Sequence, residues 1–272
     1  MAGSVLSRAE IPAIYSSLGR FGFGSLGLLL IMLGARPWPK PSRPILYRLL
    51  AMGFFGVVLY NLCFFSGLRT VPSGRASLMA SLQPSLVLIY SRLVWGEKVT
   101  GRKLGGLVLS LFGAALVLTQ ADPAKLFTTG LGVGDLWILA AVLAWFAYTI
   151  LGRDLANEIE PLPATAYSIW AGFAMLILYA VITHPSAPNL NTPSFWLITA
   201  YLGFLGTTLA FLLYLRGLEQ IGAARTSIFL NFVPIFSVLS SNIFLKESIT
   251  WPTLCGGALA LSGVFLLTSK SK

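Results

Sequence analysis

Most of this chain consists of apolar runs about as long as a bilayer is thick, separated by short gaps that hold most of its charge. A helix needs about 20 residues to cross the hydrocarbon. Nine such runs can be marked between Pro, Gly and charged residues: 11–33, 45–66, 76–94, 103–119, 134–151, 164–181, 194–215, 225–245 and 254–268. The longest gap, 120–133, has no room for a soluble domain. Charged residues are 10% of the chain, hydrophobic residues 56%, and the mean hydropathy is +0.80. A water-soluble domain carries roughly 25% charged residues. With so few charges the chain cannot cover a globular surface, and an all-α integral membrane protein is the expected class.

The basic residues orient the spans. If the link holding Arg36, Lys40 and Arg43 is cytoplasmic, alternate links and the C-terminus share that side, and they collect 13 of the 19 Lys and Arg. That bias follows the positive-inside rule and predicts a multi-pass protein of the inner (plasma) membrane with a cytoplasmic C-terminus. The net charge of +10 is distributed through these links, which argues against nucleic acid as a partner and for the lipid bilayer as one. Cys63 and Cys255 both lie in apolar runs and read as small core residues. His184, the one histidine, sits in a Pro-rich link. Neither a metal site nor a catalytic set can be assembled, and no cofactor is expected.

A repeat is legible at a shift of 150 residues. Gly67 falls on Gly217, Arg75 on Arg225, Ser77 on Ser227, Pro84 on Pro234, Ser91 on Ser241, Glu97 on Glu247, Thr100 on Thr250, Gly106 on Gly256 and Gly113 on Gly263. Agreement at Arg, Pro, Glu and Gly together reads as an internal duplication. The second half holds five spans, an odd number, so successive five-span units must be inverted in the membrane, the plan of secondary transporters. The expected fold is two inverted five-helix repeats, 1–120 and 134–269. Only four spans are visible in the first repeat, which lacks most of its first helix: nine visible transmembrane helices of an expected ten. MAGSVLSR, residues 1–8, reads as the tail of that helix. No cleavable signal peptide is evident.

The stretch GLRTVPSGRASLMASLQPSLVLIYSRLVWGEKVTGRKLGG, its echo GLEQIGAARTSIFLNFVPIFSVLSSNIFLKESIT, and the shorter YNLCFF and LGRF closely resemble EamA-type members of the drug/metabolite transporter superfamily. The resemblance covers nearly the whole chain and occurs twice. It implies a ten-helix inner-membrane exporter of amino acids and other small metabolites, working by alternating access on a small-molecule substrate. It also implies a first helix that helps to line the central cavity.

The residues at membrane depth supply candidates for that cavity. Arg20 lies inside the first run, where an unpaired arginine costs about 2.5 kcal/mol or more. It can meet a substrate carboxylate there, or hold a loop or a lipid phosphate. Neutral polar and aromatic groups at comparable depth are Tyr60, Asn61, Ser81 and Gln83 in the first half and Trp145, Tyr148, Tyr201, Thr207, Thr208 and Asn231 in the second. Such groups suit a zwitterionic or amphipathic metabolite. Each alone reads equally as a hydrogen bond between helices.

Pro84 and Pro234 are expected to kink their helices, either for packing or as a hinge beside the cavity. Glu97 and Glu247, with Lys98 and Lys246, read as interfacial charges at span ends, and Arg75 and Arg225 as snorkelling cations. All nine acidic residues fall in links or at span ends, so no carboxylate buried in the bilayer is visible: either coupling uses another route, or the carboxylate belongs to the missing helix, or transport is facilitative. The glycines Gly105, Gly106, Gly113, Gly256, Gly257 and Gly263 let helices approach closely and offer a seam for a homodimer. Two other readings stand beside the transporter: a membrane-embedded enzyme, which needs a nucleophile and base at depth, and a membrane scaffold that transports nothing.

Overall fold

A computed structural model of the chain describes residues 13–35, 38–71, 76, 79, 80, 82–97, 100–119, 122, 132–183, 193–232 and 251–268. Every regular element among them is helical. In chain order the helices are α1 (Ala13–Gly34), α2 (Arg43–Gly67), α3 (Gln83–Leu93), α4 (Gly101–Thr119), α5 (Val133–Leu155), α6 (Pro161–Thr183), α7 (Pro193–Ile221), α8 (Ala223–Ile228) and α9 (Trp251–Thr268). Five of them, α1, α2, α5, α6 and α7, are long and apolar enough to cross a membrane.

The polarity gradient fits lipid rather than water. Outward faces carry large apolar side chains such as Leu178, Leu197 and Phe265. Ser17, Asn61, Thr149, Thr165, Ser168 and Thr207 are buried inside. In hydrocarbon the polar groups gather in the interior, where they bond across helices.

The shift of 150 recurs in the element boundaries. α2 opens at Arg43 and α7 at Pro193; α4 opens at Gly101 and α9 at Trp251. Both α2 and α7 widen for six residues into a π-segment, Phe54–Leu59 in one and Phe204–Leu209 in the other, again 150 apart. α1 and α6 match at a shift of 148: the buried Ser17, Phe21 and Leu28 fall on the buried Thr165, Ile169 and Leu176.

The packing repeats as well. A Cβ on Gly53 would lie 2.5 Å from Ser168 O of α6, and one on Gly203 would lie 2.7 Å from Arg20 O of α1. Gly113 of α4 beds against Gly256 and Ala260 of α9, while Gly263 of α9 beds against Gly106 and Ser110 of α4. As α4 advances from 106 to 113, its partner on α9 retreats from 263 to 256, so the two helices run antiparallel.

Pro84 stands in the first turn of α3, next to Gln83, after a turn at Leu82. The missing N–H costs nothing there, because the first N–H groups of a helix have no intrahelical partner. Pro234, Ser81 and His184 lie outside the described residues, as do Arg75, Glu247, Lys98 and Lys246, and so does the side chain of Asn231.

Candidate functional site

Arg20 is the one charged residue in the 22 residues of α1, and it is part-buried. Its guanidinium is held by three neutral acceptors: Nε donates to Thr207 Oγ1 at 2.9 Å, Nη1 to Asn61 Oδ1 at 3.1 Å and Nη2 to Gly206 O at 2.8 Å. All three come from the neighbourhood of the π-segments. A π-turn weakens the regular ladder and leaves carbonyls under-satisfied. Asn61 Nδ2 donates to the Val57 and Gly56 carbonyls of the first segment at 2.9 and 3.3 Å, which turns its Oδ1 toward Arg20. The second segment contributes Gly206 O and Thr207 directly. The two widened turns therefore converge on one cation. Among the described residues no carboxylate pairs with it.

Beside Arg20 lies a cavity of about 340 Å³ bordered by Tyr60, Gln83, Trp145, Gly206, Phe211 and Tyr214, with Phe64, Ala80, Val142, Ala210 and Leu230 completing it. Its lining repeats at the same shift of 150: Tyr60 with Ala210, Phe64 with Tyr214, Ala80 with Leu230. Trp145 anchors the aromatic wall, with ring centroids 5.1 Å from Tyr60, 5.2 Å from Phe211 and 5.3 Å from Tyr214. Tyr148 stacks behind it, fully buried against Gly56.

Away from Arg20 the polar groups form a chain. Thr149 Oγ1 donates its one hydrogen to Trp145 O at 2.9 Å. It then accepts from Gln83 Nε2 at 3.0 Å and from the Tyr214 hydroxyl at 2.7 Å. This accounting fixes the amide of Gln83, since its oxygen turned toward Thr149 would meet only lone pairs. Gln83 Oε1 is left buried with no partner, and Trp145 Nε1 is buried with no acceptor in bonding geometry.

The structure thus brings Arg20, Tyr60, Gln83 and Trp145 onto one cavity. Asn61 and Thr207 hold Arg20 from behind, Tyr148 backs Trp145, and Thr208 donates to Gly24 O at 2.9 Å as a helix-to-helix bond. Tyr201 is placed elsewhere, 59% exposed on the outer face of α7. Tyr214, Phe211 and Thr149 were not singled out from the sequence. Thr207, Phe211 and Tyr214 recur at helical spacing on α7, a stripe that could have marked them. Asp135 is buried at the head of α5, where its Oδ2 accepts from Gly132 N at 2.8 Å. Cys63 is buried, whereas Cys255 is exposed, and neither is in a disulfide.

The other end of the bundle gathers charge. Arg48 pairs with Glu158, Trp95 Nε1 donates to Asp154 at 3.1 Å, and Arg153 lies over the Trp95 ring. Glu97, Lys103 and Arg225 border a polar recess there, with Glu97 and Lys103 4.0 Å apart.

The family model of the EamA-like transporter family matches residues 1–119 and again 132–269. An uncharacterized transporter of Archaeoglobus fulgidus is 29% identical over 95% of this chain and 89% of its own length. The uncharacterized transporter YyaM of Bacillus subtilis is 28% identical over 83% of this chain and 75% of its own length. A protein of Streptantibioticus cattleyicolor, named a probable terminal-alkyne amino-acid exporter, is 26% identical over 97% of this chain and 90% of its own. A crystal structure covering 94% of the chain superposes with a TM-score of 0.77 at 21% identity, which speaks to the fold.

Proposed function

The chain belongs to the EamA-like transporter family, integral membrane transporters rather than enzymes, and from that premise we propose that it exports small organic metabolites such as amino acids by alternating access. One observation carries the reading: the cavity is lined by matched pairs from the two halves of the duplicated sequence. A site on the seam between repeats is where rocking of one repeat against the other changes the side from which it is reached.

The two repeats, 1–120 and 134–269, are inverted in this reading, and the antiparallel contact of α4 with α9 supports that. The nine spans follow a ten-helix plan in the inner membrane with the C-terminus in the cytoplasm. The break before Pro84 and the two π-segments sit beside the cavity and supply the places where the helices bend. Amino acids are favoured because the cavity combines one cation, uncharged polar groups and aromatic walls at the small end of the roughly 300–1,000 Å³ common for ligand pockets. The amino-acid exporter named among the relatives points to the same class.

The test is flux. Purified protein in liposomes is offered a panel of radiolabelled amino acids. Efflux of at least one is expected, falling about tenfold or more when Tyr60→Ala opens the aromatic wall. Absence of flux for the whole panel would end this reading.

A further inference from the structure

Two features of the cavity are unexplained by packing. Arg20 is a part-buried cation whose acceptors are all neutral. A guanidinium has five N–H donors, of which these bonds use three. Bonds from a cation to a carboxylate are roughly twice as strong as those to neutral acceptors. Gln83 Oε1 is the opposite case, a buried acceptor with nothing donating to it. An unmet acceptor costs about 1–3 kcal/mol in the folded protein. The border of one cavity therefore holds a cation with unused N–H donors and, just beneath the wall, a neutral acceptor that meets a solute when the Gln83 side chain turns inward.

We propose that the cavity reads its solute at two points: the Arg20 guanidinium takes the carboxylate, and Gln83 Oε1 takes the ammonium, while the apolar body rests on Tyr60, Trp145 and Phe211. The assignment rests on the reading that amino acids enter this cavity, and it goes further by naming the group that recognises each pole. Aromatic faces beside Gln83 add cation–π attraction for the ammonium. The site has one positive charge and, among the described residues, no carboxylate on its wall. It therefore rejects solutes whose only charge is positive and solutes that lack a carboxylate. The arriving carboxylate also competes with Gly206 O and Thr207 for Arg20, so loading the site loosens the link between α1 and the second π-segment.

Binding and flux are measured on the full chain, by ligand-induced thermal stabilisation in detergent and by efflux from liposomes. The probes are phenylalanine, phenylalaninamide, which lacks the carboxylate, and 3-phenylpropionate, which lacks the ammonium. Phenylalanine is expected to bind at least about tenfold more tightly than either of the other two. Arg20→Met removes the difference between acid and amide. Gln83→Leu removes the difference between phenylalanine and 3-phenylpropionate and leaves that between acid and amide. Gln83→Leu removes no charge, so it still reports if Arg20→Met does not fold. Equal binding of acid and amide by the unaltered protein, unchanged ratios in either variant, or no stabilisation by phenylalanine overturns the proposal. Discriminating binding without flux of any solute would instead overturn the transport reading and leave this one standing. Flux confined to solutes without a carboxylate would do the reverse.

Discussion

At the scale of single residues, Arg20 and Asn61 tie α1 to both π-segments. Asn61 has three tasks: two carbonyls of the first π-segment and one N–H of Arg20. Asn61→Asp keeps the shape, loses the amide donors and places a carboxylate against the guanidinium. The ion pair satisfies Arg20 internally, at the cost of the bonds to Gly56 and Val57. The expected outcome is a folded protein whose affinity for carboxylate solutes falls at least about tenfold, since the new pair neutralises the charge that draws the solute. Thermal stabilisation by phenylalanine measures it, and undiminished binding would show that Arg20 faces no solute. Arg20 was legible in the sequence, because a charge inside an apolar run is conspicuous. Gln83, Tyr60 and Trp145 were legible as polar or aromatic groups at depth. Tyr201 lies in the first half of α7, which is apolar on every side and carries no phase signal telling the lipid face from the inner face, whereas the stripe of Thr207, Phe211 and Tyr214 marks the inner face further on.

At the scale of elements, the duplication was legible in full and its geometric content was not. The shift of 150 was written in Arg, Pro, Glu and Gly positions. The π-segments FFGVVL and FLGTTL share Phe, Gly and Leu at matching places. No propensity rule turns that pattern into a widened turn, because the cause is tertiary: Asn61 and Arg20 reward the loosened carbonyls. Pro84 shows the same limit. A proline inside an apolar run reads as a kink, but Pro84 stands in the first turn of α3, where its missing N–H breaks no intrahelical bond. The glycines split cleanly once contacts are known. On Gly113 a Cβ would lie 2.5 Å from Gly256 O, and on Gly263 2.5 Å from Gly106 O and Ser110 N. These neighbours are backbone and cannot swing aside. Gly113→Ala and Gly263→Ala are expected to destabilise by about 1–3 kcal/mol each, and by similar amounts, because the two sites are equivalents across the repeat. Gly105, with nothing within 4 Å of its Cβ position, is expected to accept Ala with no loss. Thermal unfolding in detergent separates these cases. A Gly113→Ala variant as stable as Gly105→Ala would remove the close crossing of α4 and α9.

At the scale of the whole molecule, charge and duplication make one joint demand. The links that collect most of the Lys and Arg meet at one end of the bundle, where Arg48 pairs with Glu158, Trp95 bonds Asp154, and Glu97, Lys103 and Arg225 share a recess. Arg225 belongs to the second repeat and Glu97 to the first, yet they border the same recess. Their counterparts at the shift of 150 are Arg75 and Glu247. If the repeats were parallel in the membrane, Arg225 would stand level with Arg75 and Glu97 with Glu247. Arg225 beside Glu97 is the arrangement that the proposed inversion of one repeat would give. The antiparallel contact of α4 with α9 supports the same proposal. The consequence is a topology that reporters can read. A fluorescent protein fused after Thr100 is expected to light up in the cytoplasm, and alkaline phosphatase fused after Thr250 to be active outside it, with the positive-inside rule fixing which is which. The same reporter active after both positions would place the repeats in parallel. The cavity would then no longer lie on a seam between inverted halves, and alternating access by rocking would lose its geometry.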